Sequence, residues 1–293
     1  MENILLQHLI NALKVGSVYA VIALGYTMVY GIIKLINFAH GEMMMLGAYF
    51  AFTLSVGTPL PFWAVLPIAM AVTAGLGILI EKIAYAPLRK APRLSVLITA
   101  IGMSLLLQNV AQLIWGAEPK RMPKVELFEP IILGGIKIDA ITIITIGLSV
   151  IFMVGLQLFV KYTKPGKAMR AVSEDKDAAA LMGINVNRTI TLTFAIGTAL
   201  GALGGVLYGV AYQKVEFVMG VMPGLKAFVA AVLGGIGLIP GAMLGGFIIG
   251  LVENLTKAYI STAWADGIVF LILIIVLLVK PSGIMGKNLK EKV

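Results

Sequence analysis

The side chains best suited to chemistry stand together early in the chain, in the run Ile36-Asn37-Phe38-Ala39-His40-Gly41-Glu42, directly after a long uncharged stretch. An imidazole and a carboxylate two positions apart can relay a proton, hold a cation or bind a polar solute. Within a membrane protein such groups face a cavity or one another, because lipid does not solvate them. On a helix Asn37, His40 and Gly41 share one side at i, i+3 and i+4, while Glu42 points elsewhere. The group can line a polar path, with Thr27 and Tyr30 from the preceding stretch, or it can lock two helices together. Thr27, Tyr30, Gln108 and Asn109 are weaker signals, since neutral polar side chains in such helices commonly bond their own backbone. Glu253 and Lys257, acid first at i, i+4, read as a pair near a membrane surface, and Met43, Met44 and Met45 read as packing.

Catalysis finds little support. There is no H-E-x-x-H, no G-x-S-x-G and no pair of carboxylates within one apolar run. Gly166-Lys167 and Gly286-Lys287 lack the upstream glycine and the following hydroxyl of a phosphate-cradling loop, so ATP, if it is used, must be bound by a partner. The chain has no cysteine and two histidines, which gives no metal-site pattern and implies no cofactor.

The elements that must position these groups are membrane spans. Of 293 residues, 59% are hydrophobic and only 13% charged, against about 25% charged in soluble domains, and the mean hydropathy is +0.98. The net charge of +9 is dispersed in loops beside apolar runs, as cytoplasmic flanks are, which argues for a lipid bilayer as partner and against nucleic acid. The N-terminus has an acidic residue and no basic region or cleavage site ahead of its apolar run, so the first span is expected to be retained.

Residues 15–33 form an uncharged run of 19 between Lys14 and Lys34, close to the ~20 needed to cross the hydrocarbon core. Residues 43–80 are 38 uncharged positions divided by Gly57-Thr58-Pro59-Leu60-Pro61, which reads as a turn between two spans. Residues 94–117, 140–160 and 189–213 supply three more spans, and 227–252 is a further apolar run. Basic loops stay cytoplasmic, which assigns Lys82, Arg89, Lys90 and Arg93 and the 161–188 loop to that side. Residues 118–139, with a possible hairpin turning at Gly134-Gly135, then lie outside, as does the N-terminus. For the tail with Lys280, Lys287, Lys290 and Lys292 to end inside, the chain needs one more reversal. Gly234, Gly235, Gly237, Pro240 and Gly241 can provide it as a broken hairpin of two short antiparallel half-helices buried in protein or facing a water-filled cavity. The expected fold is all-α, a polytopic helical membrane bundle of about nine crossings.

Residues 161–188 are the one long polar segment between two apolar spans. Lys164, Lys167 and Arg170 approach it, Ser173 suits an N-cap, Glu174 and Asp175 suit a first turn, and Gly183 suits a left-handed stop. The spacing predicts a helix over 174–182, roughly 14 Å long. Its middle, Ala178, Ala179 and Ala180, lacks bulk, so a partner's groove can approach closely, with Ala179 where no larger side chain fits. Asp177-Ala178-Ala179-x-x-x-Gly183 resembles the E-A-A-x-x-x-G coupling loop of ABC-importer permeases, with Asp in place of Glu.

The resemblance extends along nearly the whole chain, through Gly25-Tyr26-Thr27-Met28-Val29-Tyr30-Gly31, the Asn37 to Glu42 run, the 171–185 loop, Ala230-Ala231-Val232-Leu233-Gly234-Gly235-Ile236-Gly237 and Pro281-Ser282-Gly283-Ile284. In combination these are similar to the H-type permease subunits of branched-chain amino-acid ABC transporters. The resemblance implies a single permease domain over 1–293, an ABC-importer fold, and a multi-pass location in the bacterial inner membrane. Its implied partners are ATP-binding ABC subunits, a second permease and a periplasmic amino-acid-binding protein. ATP hydrolysis would belong to the partners, coupled through Ser173, Glu174, Asp175, Asp177, Ala178, Ala179 and Gly183. The short Lys-rich segment 118–137 departs from the family's pattern. The competing reading is an ion-coupled carrier or channel for a small polar solute, in which His40 and Glu42 couple ion movement and the polar helix has no task. An intramembrane enzyme has only His40-x-Glu42 in its favour.

Overall fold

The computed structural model describes residues 2–34, 37–89, 91–125, 129–133 and 136–286. Ile36, Lys90, Gly134, Gly135, Lys287, Lys290 and Lys292, which figure in the sequence reading, lie outside the described residues. The apolar runs fold as helices α1 (Glu2–Ile33), α2 (His40–Gly57), α3 (Phe62–Ile80), α4 (Arg93–Trp115), α5 (Ala140–Tyr162), α8 (Val186–Tyr212), α9 (Val221–Gly234), α10 (Ile239–Tyr259) and α11 (Ala265–Val279). The polar segment supplies α6 (Lys164–Glu174) and α7 (Lys176–Leu181). A two-stranded antiparallel sheet, β1 (Ile131–Leu133) and β2 (Ile136–Ile138), pairs Ile131 with Ile138.

Six helices among the described residues, α1, α3, α4, α5, α8 and α10, are long and apolar enough to cross a membrane. At the centre, α1 is buried along 89% of its apolar stretch, whereas peripheral α5 is buried along 17% and turns residues such as Ile151 and Leu158 outward, as a lipid-facing helix does. With no hydrophobic drive between helices in lipid, close backbone approach supplies the packing. Where α2 meets α8, a Cβ at Gly205 would run into the carbonyl of Met44. Gly205→Val is therefore expected to prevent assembly of the bundle, measured as loss of a monodisperse peak in detergent, whereas Gly147→Ala, with nothing within 4 Å, leaves the peak unchanged.

Two faces of the bundle are defined by their contacts. On the first, Arg89 bonds Asn187, Gly31 meets Gly237, and the carbonyls of Leu233 and Gly234 accept from Ile284 N (2.8 Å) and Met285 N (3.2 Å). On the opposite face Trp115 donates to Thr53 (2.9 Å), Lys120 and Val215 form an antiparallel bridge, and the Gln7 amide pairs both backbone groups of Lys137.

The glycine-rich reversal is present, but not as two short half-helices. The chain leaves α9 at Gly235 (φ +106) and turns through Gly237 (φ +94), and Pro240 sits in the first turn of α10, where its missing N–H costs nothing. Gly234 packs directly on Gly241. α9 has 14 residues, but α10 has 21 and is of spanning length. α9 also starts at Val221 rather than near Ala227, so Lys226 lies within the helix.

Candidate functional site

The Asn37–Glu42 group sits at an interior helix start. His40, the first residue of α2, is fully buried and packs beside Gly25 of α1, about 12 Å short of that helix's Ile33 end. Gly201 of α8 lies on its other side, about 22 Å in from Val186. α2 therefore begins deep within the bundle. α9 begins at the same level, because Gly220 and Gly224 pack against Gly41, where a Cβ at Gly224 would stand 2.8 Å from Gly41 Cα.

Asn37 braces the turn that leads into α2. Its Oδ1 accepts from Ala39 N (3.0 Å) and from the Tyr85 hydroxyl (2.7 Å), tying the α2 start to a π-turn at Glu81–Tyr85. The His40 ring lies 4.4 Å from the Tyr26 ring, and neither ring nitrogen has a hydrogen-bond partner among the described residues. Glu42, in the first turn of α2 where the helix dipole favours a negative charge, is 1% exposed. Its Oε1 accepts from Ser104 Oγ (3.0 Å) and Gln108 Nε2 (2.8 Å) of α4, while Oε2 has no partner among the described residues. Thus Gln108 belongs to this group, whereas Asn109 donates to its own Leu105 carbonyl (2.7 Å). Thr27 is buried, its hydroxyl without a partner among the described residues, and Tyr30 lines a small cavity with Tyr26, Asn37 and His40. Glu42 also borders a larger cavity, of about 270 Å³, between α4 and the first turn of α9.

The polar segment differs from the expected single helix over 174–182. Ser173 is not an N-cap; it lies within α6 and donates to Arg170 O (2.7 Å). The cap is Asp175, in extended backbone, whose Oδ1 accepts from Asp177 N and Ala178 N at 2.9 Å each, so Glu174 ends α6 and a separate short α7 follows. Gly183 takes φ +82, the expected left-handed conformation. Ala179 is buried among this chain's own core residues rather than offered outward, while Ala178, Ala180, Leu181 and Met182 are exposed.

A protein-family model described as the permease component of branched-chain amino acid transport systems matches residues 8–278. The chain belongs to this permease family. It is 44% identical to the high-affinity branched-chain amino acid transport system permease protein LivH of Salmonella typhimurium, over 98% of this chain and 97% of that one. It is likewise 44% identical to BraD of Pseudomonas aeruginosa, over 98% of each. The ribose import permease RbsC of Haemophilus influenzae is 27% identical over 84% of this chain and 76% of that one. Among solved structures, PsaBC from Streptococcus pneumoniae aligns with a TM-score of 0.51 at 14% identity, covering 95% of this chain and 92% of that one. A metal-chelate type ABC transporter aligns with a TM-score of 0.51 at 17% identity, over 94% and 87%. The chain is thus a multi-pass membrane permease of the ABC-importer kind.

Two further clusters in this permease escaped the sequence reading. Glu81, fully buried, bonds Arg89 through one oxygen and Thr191 Oγ1 (2.9 Å) through the other, and Arg89 also bonds Asn187 in the first turn of α8. Because Tyr85 of the same π-turn holds Asn37, a short path of hydrogen bonds joins the end of the polar segment to the start of α2. In the other, Lys226 Nζ is 2.9 Å from Glu253 and 2.6 Å from Asp266, and Tyr19 donates to Glu253 at 2.7 Å. Glu253 is 2% exposed, so its pairing with Lys257 is one edge of a buried network rather than a surface pair.

Proposed function

We propose that this permease translocates branched-chain, aliphatic amino acids across the bacterial inner membrane as one subunit of an ATP-driven importer. The observation that carries the reading is identity to named branched-chain amino-acid permeases over essentially full length on both sides. ATP-binding subunits, a second permease and a periplasmic binding protein complete the assembly, and the chain itself catalyses no reaction. Residues 161–188 form the cytoplasmic coupling loop of one permease domain spanning 1–293, and 118–139 the periplasmic loop, with the N-terminus outside and the C-terminus inside. In this loop Ser173, Glu174, Asp175, Asp177, Ala178 and Gly183 shape or present the docking surface. Ala179 holds α7 to its own chain, and Leu181 and Met182, 89% and 82% exposed, meet the ATPase groove. Thr27, Tyr30, Asn37, His40 and Glu42 line the path, and Gly234, Gly235, Gly237, Pro240 and Gly241 form the hinge at its cytoplasmic end.

ATP binding would close the partner subunits on α7. Asn187, in the first turn of α8 after the Gly183 turn that follows α7, passes the displacement through Arg89, Glu81 and Tyr85 to Asn37, so that the α2 start moves with the loop. The test is ATP-dependent leucine uptake by the reconstituted complex, abolished when the ATPase subunits are omitted. Uptake that persists in ATP-depleted vesicles under an imposed proton gradient would instead establish an ion-coupled carrier. Single cysteines at Lys124, Lys167 and Lys287 are expected to label with an impermeant reagent from outside, inside and inside respectively; a Lys287 site labelled from outside would overturn the reversal at the hinge.

A further inference from the structure

Resting on that reading, we infer that the cavity between α4 and α9 is the pausing site of the amino acid within the membrane, with Glu42 Oε2 receiving the α-ammonium group and the first turn of α9 receiving the α-carboxylate. The cavity is close to the lower end of the roughly 300–1,000 Å³ range of ligand pockets, at about 270 Å³. Its polar wall is Glu42, Ser104 and Gln108, and its apolar wall includes Phe38, Ile101, Leu105 and Leu225. That division suits a zwitterion carrying an aliphatic side chain.

Three observations converge on the assignment. First, Glu42 is 1% exposed and only one of its oxygens is engaged: Ser104 and Gln108 fix Oε1 from one side, which aims the carboxylate while leaving Oε2 without a partner among the described residues. A buried acceptor left unpaired is costly, and the complementary group is a donor that arrives and leaves. Second, α9 is a 14-residue helix whose N-terminal turn, Gly220 to Gly224, borders the same cavity. Its positive dipole end attracts an anion, and broken membrane helices use this arrangement for carboxylates. Third, a Cβ at Gly220 would stand 3.0 Å from Glu42 Oε2, so the acid and the helix end lie side by side on one wall of the cavity, where one head group can meet both. Both groups are supplied by helices that begin at mid-depth, α2 and α9, and α2 is tied to the coupling loop through Asn37. Movement of the α2 start changes the spacing between the two charges, which gives the importer a means of releasing what it holds.

The test uses the complete importer in nanodiscs with a single cysteine in place of Leu105, a cavity-wall residue that is 54% exposed. Leucine is expected to slow maleimide labelling of that cysteine, whereas 4-methylpentanoate, which lacks the ammonium, and 3-methylbutylamine, which lacks the carboxylate, do not at equal concentration. Protection by 4-methylpentanoate equal to that by leucine, or no protection by leucine, overturns the assignment. In a separate Glu42→Gln complex, leucine uptake is expected to fall by roughly tenfold or more, as happens when one member of a desolvated charge pair is neutralised, with the complex still assembling as a monodisperse peak on size exclusion. Normal uptake by Glu42→Gln overturns the site and leaves the transport function standing. Absence of ATP-dependent leucine uptake by the unmodified complex refutes the function itself.

Discussion

Replacing both Leu181 and Met182 by Glu is expected to cut ATP-driven uptake by a factor of roughly 30 or more while the permease inserts and folds normally. The two side chains end α7 and precede the left-handed Gly183, and at 89% and 82% exposure they give up little to their own chain. Surface substitutions of this kind change folding stability by about 0.5 kcal/mol or less. At a protein–protein contact, however, an apolar anchor is worth about 2 kcal/mol or more when it fills a pocket, and 2 kcal/mol corresponds to roughly 30-fold in affinity. Uptake and stimulated ATPase activity should fall together because the subunits no longer engage, and size-exclusion behaviour of the isolated permease should be unchanged. Ala179→Glu makes the contrast. Ala179 is 4% exposed against its own chain, so a carboxylate there should dislodge α7 and disturb the permease itself. Gly183→Val strains a backbone held at φ +82, at a cost of about 1–2 kcal/mol, and should uncouple hydrolysis from transport. Wild-type uptake in the double Glu variant would remove α7 from the coupling surface.

What could be read from the sequence follows from the range of the interactions involved. Uncharged runs bounded by Lys, Gly and Pro marked the spans because the bilayer acts on each run separately. The reversal at Gly234 to Gly241 and the stop at Gly183 were legible because only glycine takes those conformations cheaply. Elements whose boundaries depend on distant partners were misplaced. The apolar run was started at Ala227, yet α9 begins at Val221 and takes in Lys226, whose charge is met by Glu253 and Asp266, 27 and 40 positions away. Glu42 was kept in the polar group but expected to point away from Asn37 and His40, and the partners it points to could not be read, because they come from α4, 62 and 66 residues on. Ser173 and Asp175 are both good caps by residue type, and Asp175 prevails because α6 continues through Ser173 to Glu174. The start of α2 in the interior is a property of its contacts with α1 and α8, and no local pattern encodes it.

Lys226→Met is expected to be among the most destabilising single substitutions outside the glycine contacts, at about 3–5 kcal/mol, the usual cost of removing one partner from a buried ion pair. The Lys226 side chain is 6% exposed and is shared between the buried Glu253 on α10 and the half-exposed Asp266 in the first turn of α11, with Tyr19 of α1 bonded to the same Glu253. Without it, Glu253 keeps Lys257 and Tyr19, but Asp266 loses its ion-pair partner and α11 loses its polar tie to the bundle. Lys257→Met supplies the control. Its side chain is 38% exposed and pairs with Glu253 at i, i+4, so its loss should cost roughly 1 kcal/mol or less. Adding Glu253→Gln to Lys226→Met should recover part of the lost stability, because in the single variant the buried Glu253 carboxylate has lost the buried one of its two cations and keeps only the part-exposed Lys257. Thermal unfolding of the three variants in nanodiscs measures the order, and hydrogen exchange over residues 265–279 should rise in Lys226→Met and remain low in Lys257→Met. Equal unfolding temperatures for the two single variants would show that Lys226 is solvated in the membrane rather than paired, and that α11 is held by packing alone.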